Sequence, residues 1–376
     1  MEKVDYLIRN GHLIDCYQNI SREKDIAVKN GKIVSADNVE AVHEINASGC
    51  IVTPGLIDFH CHVGAFVTEL GIVGEAAYFP TGVTSVVDAG STGTSNYEAF
   101  RILTSSSRLR IKAFLNVCPA GLVTTAYHEN VDPKMYQKEK ILRFLEKYPN
   151  DLLGLKIRQS KEIVGDLGIE PAREMIKIAE EAKCSVVVHT TNPPGKAKDI
   201  AELLRPGDVY AHVYQGKGES VVENGKVIQD FIEYQNKGII FDAANGTNHF
   251  SLRVAECCMN QGFLPDIIST DLTIKSLYIP GKVFSLPFIM SKYLALGMSV
   301  EDIIQRTTLT PARIMGEEKN LGSLCEGTCA DIAIHRIIPK ETTFEDCFGE
   351  KIAGKYLLKT ECTLREGTVV FRQIDF

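Results

Sequence analysis

Eight brief apolar runs fall between Leu56 and Thr270, with amphipathic stretches between most of them, and this alternation constrains the fold more than any other feature of the chain. The runs occupy residues 56–59, 85–88, 112–116, 154–157, 185–188, 208–211, 239–242 and 267–270. Short apolar runs bounded by turn residues suit strands covered on both faces, as in parallel sheets with helical crossovers. The intervening stretches 133–147 and 171–182 each open on a proline, a residue favoured in the first helical turn. Eight such units over roughly 250 residues match a closed (β/α)8 barrel, and so predict an α/β fold of that kind. At 376 residues the chain has room for a smaller appendage.

The flanks have a different texture. Residues 5–8, 25–29, 32–34 and 51–52 form short apolar runs punctuated by Gly11, Asn30-Gly31 and Gly49, and Asn-Gly between extended runs signals a hairpin. Beyond Gly322 the strand-and-turn texture returns at residues 330–334, 356–361 and 368–372. The expectation is a small β domain assembled from residues 1–53 and 316–376, around a barrel spanning 54–315.

Composition narrows the partners. With 44% hydrophobic and 24% charged residues the chain reads as an ordinary globular protein. A formal charge of -7 and the lack of any basic run argue against a nucleic-acid partner. Charged residues precede any apolar stretch at the start, and no apolar segment approaches the roughly 18 residues of a membrane span. A cytoplasmic protein acting on a small molecule is expected, with homo-oligomerisation left open. The eleven cysteines are scattered without repeated CxxC pairs, which favours reduced thiols. Cys325 and Cys329 have the spacing of a metal clip, but no second Cys or His pair accompanies them.

Chemistry concentrates at the predicted strand ends. The block Pro54-Gly55-Leu56-Ile57-Asp58-Phe59-His60-Cys61-His62 puts His60 and His62 two residues apart, on one side of a strand, where both can address one cation. Alone, the pair is equally well read as two hydrogen-bonded histidines. His189 and His212 close the fifth and sixth runs, and Asp271 closes the eighth, where it could bind a cation, shuttle protons or cap a helix. Barrel active sites are assembled from several strand ends at one face. Lys156 lies inside an apolar strand. Its buried ammonium calls for a salt bridge, or it can react with carbon dioxide to form a carbamate able to bridge two cations.

Together with the tail Thr310-Pro311-Ala312-Arg313 and the segments Leu321-Gly322-Ser323-Leu324 and Gly327-Thr328-Cys329-Ala330-Asp331, these residues resemble the amidohydrolase superfamily over essentially the whole chain. The resemblance implies a barrel with a β-sandwich built from both termini, and a binuclear site of the dihydroorotase and dihydropyrimidinase type. On that analogy His60, His62 and Asp271 hold one divalent ion, His189 and His212 the other, and carbamylated Lys156 bridges them; zinc is the default for so many imidazoles. Such a pair, about 3.5–4 Å apart, shares a hydroxide and polarises a carbonyl, while Asp271 carries the proton to the leaving group.

Departures within the family narrow the substrate. Dihydroorotases usually carry an Arg two residues after the second histidine, where this chain has Gly64, and mononuclear deaminases lack the bridging lysine. The segments Gly154–Arg158, His189-Thr190-Thr191-Asn192-Pro193-Pro194 and His212-Val213-Tyr214-Gln215-Gly216-Lys217 look more like a bacterial deacetylase group acting on N-acyl amino acids or acetylated hydroxy acids. Arg158, Tyr127, Lys217 and His249 are candidates for binding the substrate carboxylate or a developing oxyanion, being in or after strand-end loops. Asp88, Asn116 and the loop 245–249 are further candidates for the pocket wall. A cyclic amidase and a metal-binding scaffold without activity stand as the alternatives.

Overall fold

The computed structural model describes residues 1–376. Seven of the eight apolar runs are strands of one parallel sheet whose spatial order follows the chain. They are Leu56–Cys61, Val83–Gly93, Arg110–Asn116, Leu152–Arg158, Ser185–His189, Val209–Ala211 and Ile240–Asp242. Their side chains alternate between two apolar clusters. Val187 belongs to the inner one with Ile57, Phe59, Phe114 and Val209, whereas its neighbours Val186 and Val188 belong to the larger cluster that includes the helices. That division is the period-two geometry of a strand, and it explains why the runs read as continuously apolar.

The eighth run corrects the expectation of a regular strand at 267–270. It is an irregular stave that closes the barrel through single bridges, Asp242 to Ile267 on one side and Cys61 to Leu272 on the other. The physical reason is Asp58. Its buried carboxylate accepts the Thr270 backbone N–H at 3.0 Å and the Thr270 hydroxyl, taking the place of a ladder carbonyl. Tyr78 donates to the same carboxylate at 2.9 Å.

A second correction concerns 133–147, which is not one helix. A single 3-10 turn at Pro133–Met135, capped by the Asp132 carboxylate, is followed by an extended Tyr136 and then the helix Lys138–Lys147. The Tyr136 hydroxyl donates to the Pro171 carbonyl at 3.1 Å, which ties the break to the first turn of a later helix, Glu170–Ala182.

The termini form two further sheets. A six-stranded sheet runs Thr368–Arg372, Lys351–Arg365, Ile332–Glu345, Ile51–Pro54, His12–Asp15, Ile20–Glu23, so strands from opposite ends of the chain are neighbours. A four-stranded sheet of Lys32–Val34, Ile26–Lys29, Glu2–Arg9 and Val39–Asn46 packs against it over Ile8, Val28, Ile45, Val52, Ile334 and Leu364. Asn30 and Gly31, both at positive φ (49° and 75°), make the hairpin turn that their sequence signalled.

Two of the C-terminal strands are far longer than the runs 330–334 and 356–361. Pro339 obscures the first, because it sits at a register shift where the ladder needs no N–H from it. The resulting hairpin reaches past the β-sandwich onto the barrel, and its second strand lies against the helix Leu286–Ala295. No helix is long and apolar enough to cross a membrane, and all eleven cysteines are free thiols.

Candidate metal centre

Residues from seven of the eight barrel staves and the loops after them line one cavity of about 300 Å3, and His212, after the sixth, is fully buried and does not line it. His60 is the penultimate residue of the first strand and His62 lies just beyond it; Lys156 is in the fourth strand, His189 ends the fifth, and His212 and Asp271 follow the sixth and eighth. His212 and Asp271 both adopt positive φ (68° and 52°), a sharp turn away from the strand that swings each side chain back over the barrel mouth. Two groups of ligand-type atoms result: His60, His62 and Asp271, and His189, His212 and His249. Within each group the atoms lie inside 4.8 Å of one another.

Asp271 stands between the groups. Its Oδ1 is 3.2 Å from His62 Nε2 and its Oδ2 is 3.6 Å from His249 Nε2. Lys156 Nζ is 3.3 Å from His60 Nε2 and has no carboxylate oxygen within 4.0 Å, so the salt bridge that a buried ammonium ordinarily demands is not made.

Outward hydrogen bonds fix which nitrogen each imidazole presents. His212 Nδ1–H donates to the Ala244 carbonyl at 2.7 Å, which leaves a lone pair on Nε2, a buried atom without any partner. His60 Nδ1 lies 3.0 Å from the Asp242 carboxylate, which Ser269 also bonds at 2.6 Å. His62 Nδ1 bonds Ser91 Oγ at 2.9 Å, and Ser91 in turn donates to Asp88 at 2.7 Å.

Burial, reinforced by neighbouring cationic groups, holds His60, His189 and His212 well below the usual imidazole range. Burial likewise pulls His249 down to about 4. Neutral imidazoles with inward Nε2 lone pairs are the form that binds a metal ion, and a carboxylate behind a ligand histidine is the usual way of fixing that form. The donor set therefore fits two divalent cations, and the orphaned His212 Nε2 is the sharpest sign of it.

The remaining candidates divide. Arg158 lines the cavity, its Nη1 held 2.9 Å from Glu129 Oε2. His249 does so as well, but as a member of the second group and 2.9 Å from Thr191 Oγ1. Tyr127 and Lys217 do not line the cavity. Tyr127 is 69% exposed, and Lys217 is turned to solvent with its backbone N–H bound by Gln215. Asn116 lines the wall, whereas Asp88 lies behind it and bonds Val63 N–H as well as Ser91.

Four residues that the sequence did not single out matter here: Ser91, Asp242 and Glu129, which hold His62, His60 and Arg158, and Lys275, which lines the cavity. Asp242 ended a predicted strand and could have been found by that signal; Ser91 and Glu129 carry none.

No protein-family model matches the chain. A deacetylase of Agrobacterium fabrum is 34% identical over 309 residues, covering 81% of this chain and 75% of that protein. A crystal structure of an adenine deaminase superposes with a TM-score of 0.90 at 27% identity, over 98% of this chain and all of its own. A crystal structure of a dihydroorotase gives 0.87 at 30% identity, over 98% of both chains.

Proposed function

The chain belongs to the amidohydrolase superfamily, and from that premise we propose that it removes an acyl group, acetyl above all, from a small N-acyl amino acid or acetylated hydroxy acid. It is a metal-dependent hydrolase of carbon–nitrogen bonds; the particular acyl substrate is our reading.

The observation that carries the reading is the pair of ligand groups facing each other across Asp271 in one cavity. His60, His62 and Asp271 would hold one zinc ion, and His189 and His212 a second, with His249 beside that pair. Bound there, the two cations supply Lewis acidity toward the scissile carbonyl and acidify a water molecule.

The chain's own residues do the rest. The Lys156 ammonium first gives up a proton; the amine Nζ then adds to carbon dioxide and loses a second proton, so that a carbamate anion among imidazoles replaces an unpaired buried ammonium. Burial, which pulls that ammonium down to about 8, favours the reactive amine. Asp271 takes the proton of the attacking water on Oδ2 and returns it to the leaving nitrogen or oxygen. Arg158, with one arm of its fork held by Glu129, offers its remaining N–H groups to the substrate carboxylate. Lys275 adds a second cation to the cavity wall.

The likeness to a dihydroorotase structure favours one competing reading, hydrolysis of a cyclic amide. Steady-state assays of zinc-loaded protein on N-acetyl amino acids, acetylated hydroxy acids and cyclic amides separate the two. Turnover of the acyclic compounds is expected; turnover of cyclic amides alone would reverse the ranking. A purified protein holding less than one cation per chain after zinc loading would instead favour an inactive scaffold.

A further inference from the structure

The tip of the long C-terminal hairpin, Asp346 to Glu350, touches the barrel beside the second ligand group although it belongs to the terminal β domain. Asp346 is buried, and its carboxylate is fully used. Oδ1 accepts the N–H groups of Phe348 at 2.7 Å and Glu350 at 2.9 Å, which forms the turn. Oδ2 accepts the N–H of Leu252 at 2.9 Å, at the start of the helix Leu252–Asn260.

Next to it, the Cys347 N–H donates to the Phe250 carbonyl at 3.1 Å. Phe250 and Leu252 thus both hang on the hairpin tip, and His249 immediately precedes Phe250. Buried Lys292 places its Nζ 3.8 Å from the centre of the Phe250 ring, so the same residue also packs against a buried cation. The loop after His212 is also engaged, since Gly216 approaches the Phe348 ring so closely that a Cβ there would stand 2.9 Å from it.

We propose that Asp346 is a positioning residue for His249, through which the terminal β domain sets the geometry of the second ligand group. Residues 243–251 form a loop with no strand or helix of their own, so His249 has no regular element to fix it. The backbone on its C-terminal side is pinned by Asp346 and Cys347, and its side chain by Thr191. Removing one carboxylate outside the cavity wall loosens one end of that loop, which the Cys347 N–H and the Tyr214 carbonyl still hold in part. The proposal goes beyond the deacylase reading but rests on it in one respect, that the cation held by His189 and His212 lies against His249.

The test uses Asp346→Asn, in which an amide NH2 faces the Leu252 N–H in place of an acceptor, and the double variant Asp346→Asn/Lys292→Met, which removes both buried charges so that an uncompensated ammonium does not unfold the protein. Cobalt(II) is titrated into metal-free protein and followed by its d–d absorption. Hydrogen exchange of the segment 243–252 is measured on the metal-free proteins in parallel.

Wild type is expected to take up two equivalents. Both variants should keep one unchanged and bind the other about tenfold more weakly, with faster exchange confined to 243–252. Exchange and cobalt binding equal to wild type in the double variant would overturn the proposal. A wild type that takes up fewer than two equivalents would count against the metal reading instead, and the exchange measurement would still decide the role of Asp346.

Discussion

Ser91 has one proton to give, and the Asp88 carboxylate at 2.7 Å receives it, so its oxygen is left to accept from His62 Nδ1. That short relay fixes the tautomer of His62, a proposed ligand, from outside the cavity. Ser91→Ala should lower kcat/KM by roughly 10–100-fold and weaken cation binding at the His60–His62 group by a similar factor, as read by steady-state kinetics and competitive chelation. Unchanged kinetics would mean that His62 is held by packing alone. At Asp271 the expectation is more severe. Asp271→Asn keeps the bulk but removes the proton acceptor, so turnover should fall by about 10^2–10^4-fold with an unaltered circular dichroism spectrum; a near-normal rate would assign proton transfer elsewhere. His60, His62, Lys156, His189, His212 and Asp271 were legible in the sequence because each ends or occupies a strand, where position along the chain translates directly into position at the barrel mouth. His249 was legible only as a loop residue near the pocket, since a loop has no periodicity from which an orientation follows. Ser91 and Glu129 were not legible at all, because their roles depend on which side chain lies across from them.

At the scale of elements, the first barrel strand and the eighth stave show how one side chain can replace part of a ladder. Asp58 provides the acceptors that bind Thr270, and Thr270 precedes Asp271, so the register of the residue proposed to transfer the proton depends on a carboxylate in the neighbouring strand. Asp58→Asn offers one acceptor where three donors now converge, and should destabilise the fold by about 1–3 kcal/mol, read as a lower denaturant midpoint. If the midpoint is unchanged, the stave is held by its two bridges and its packing. Seven strands were legible because parallel, doubly covered strands are apolar throughout. The irregularity of the eighth was not, since Ile267 and Ile268 read as the start of another apolar strand and the capture of the Thr270 donors by Asp58 depends on tertiary position. Similarly, Pro133 correctly announced a helical turn near its position, but Tyr136 reaching Pro171 divides what periodicity alone joins.

Taken whole, the molecule joins its two parts through the helix Leu286–Ala295 and the long hairpin, and Lys292 lies buried in that helix. Burial, opposed by nearby Asp346, pulls its ammonium down to about 7 from an ordinary value of 10.5. Between those two values the unfolded chain carries a proton on Lys292 that the folded chain does not. The contribution of this group to stability therefore rises with pH across that window, by at most ~1.4 kcal/mol per pH unit, and its penalty is greatest below pH 7. Lys292→Met should raise the melting temperature at pH 7 and flatten its rise between pH 7 and 9.5 relative to wild type; parallel curves for the two proteins would show that the ammonium stays charged. The division into barrel and β-sandwich was visible in the change of texture along the chain, whereas the reach of the hairpin was not, because polar residues and Pro339 conceal its length. The sheet that unites the two ends has a consequence during synthesis. Thr53 pairs with Ala333, 280 residues further on, so the strand Ile51–Pro54 leaves the ribosome long before its neighbour exists. At translation speeds of about 5–20 residues per second, that edge waits on the order of tens of seconds. A nascent chain of this protein thus carries a sticky, half-finished border that must be kept from pairing with other chains until the strand Ile332–Glu345 has been made.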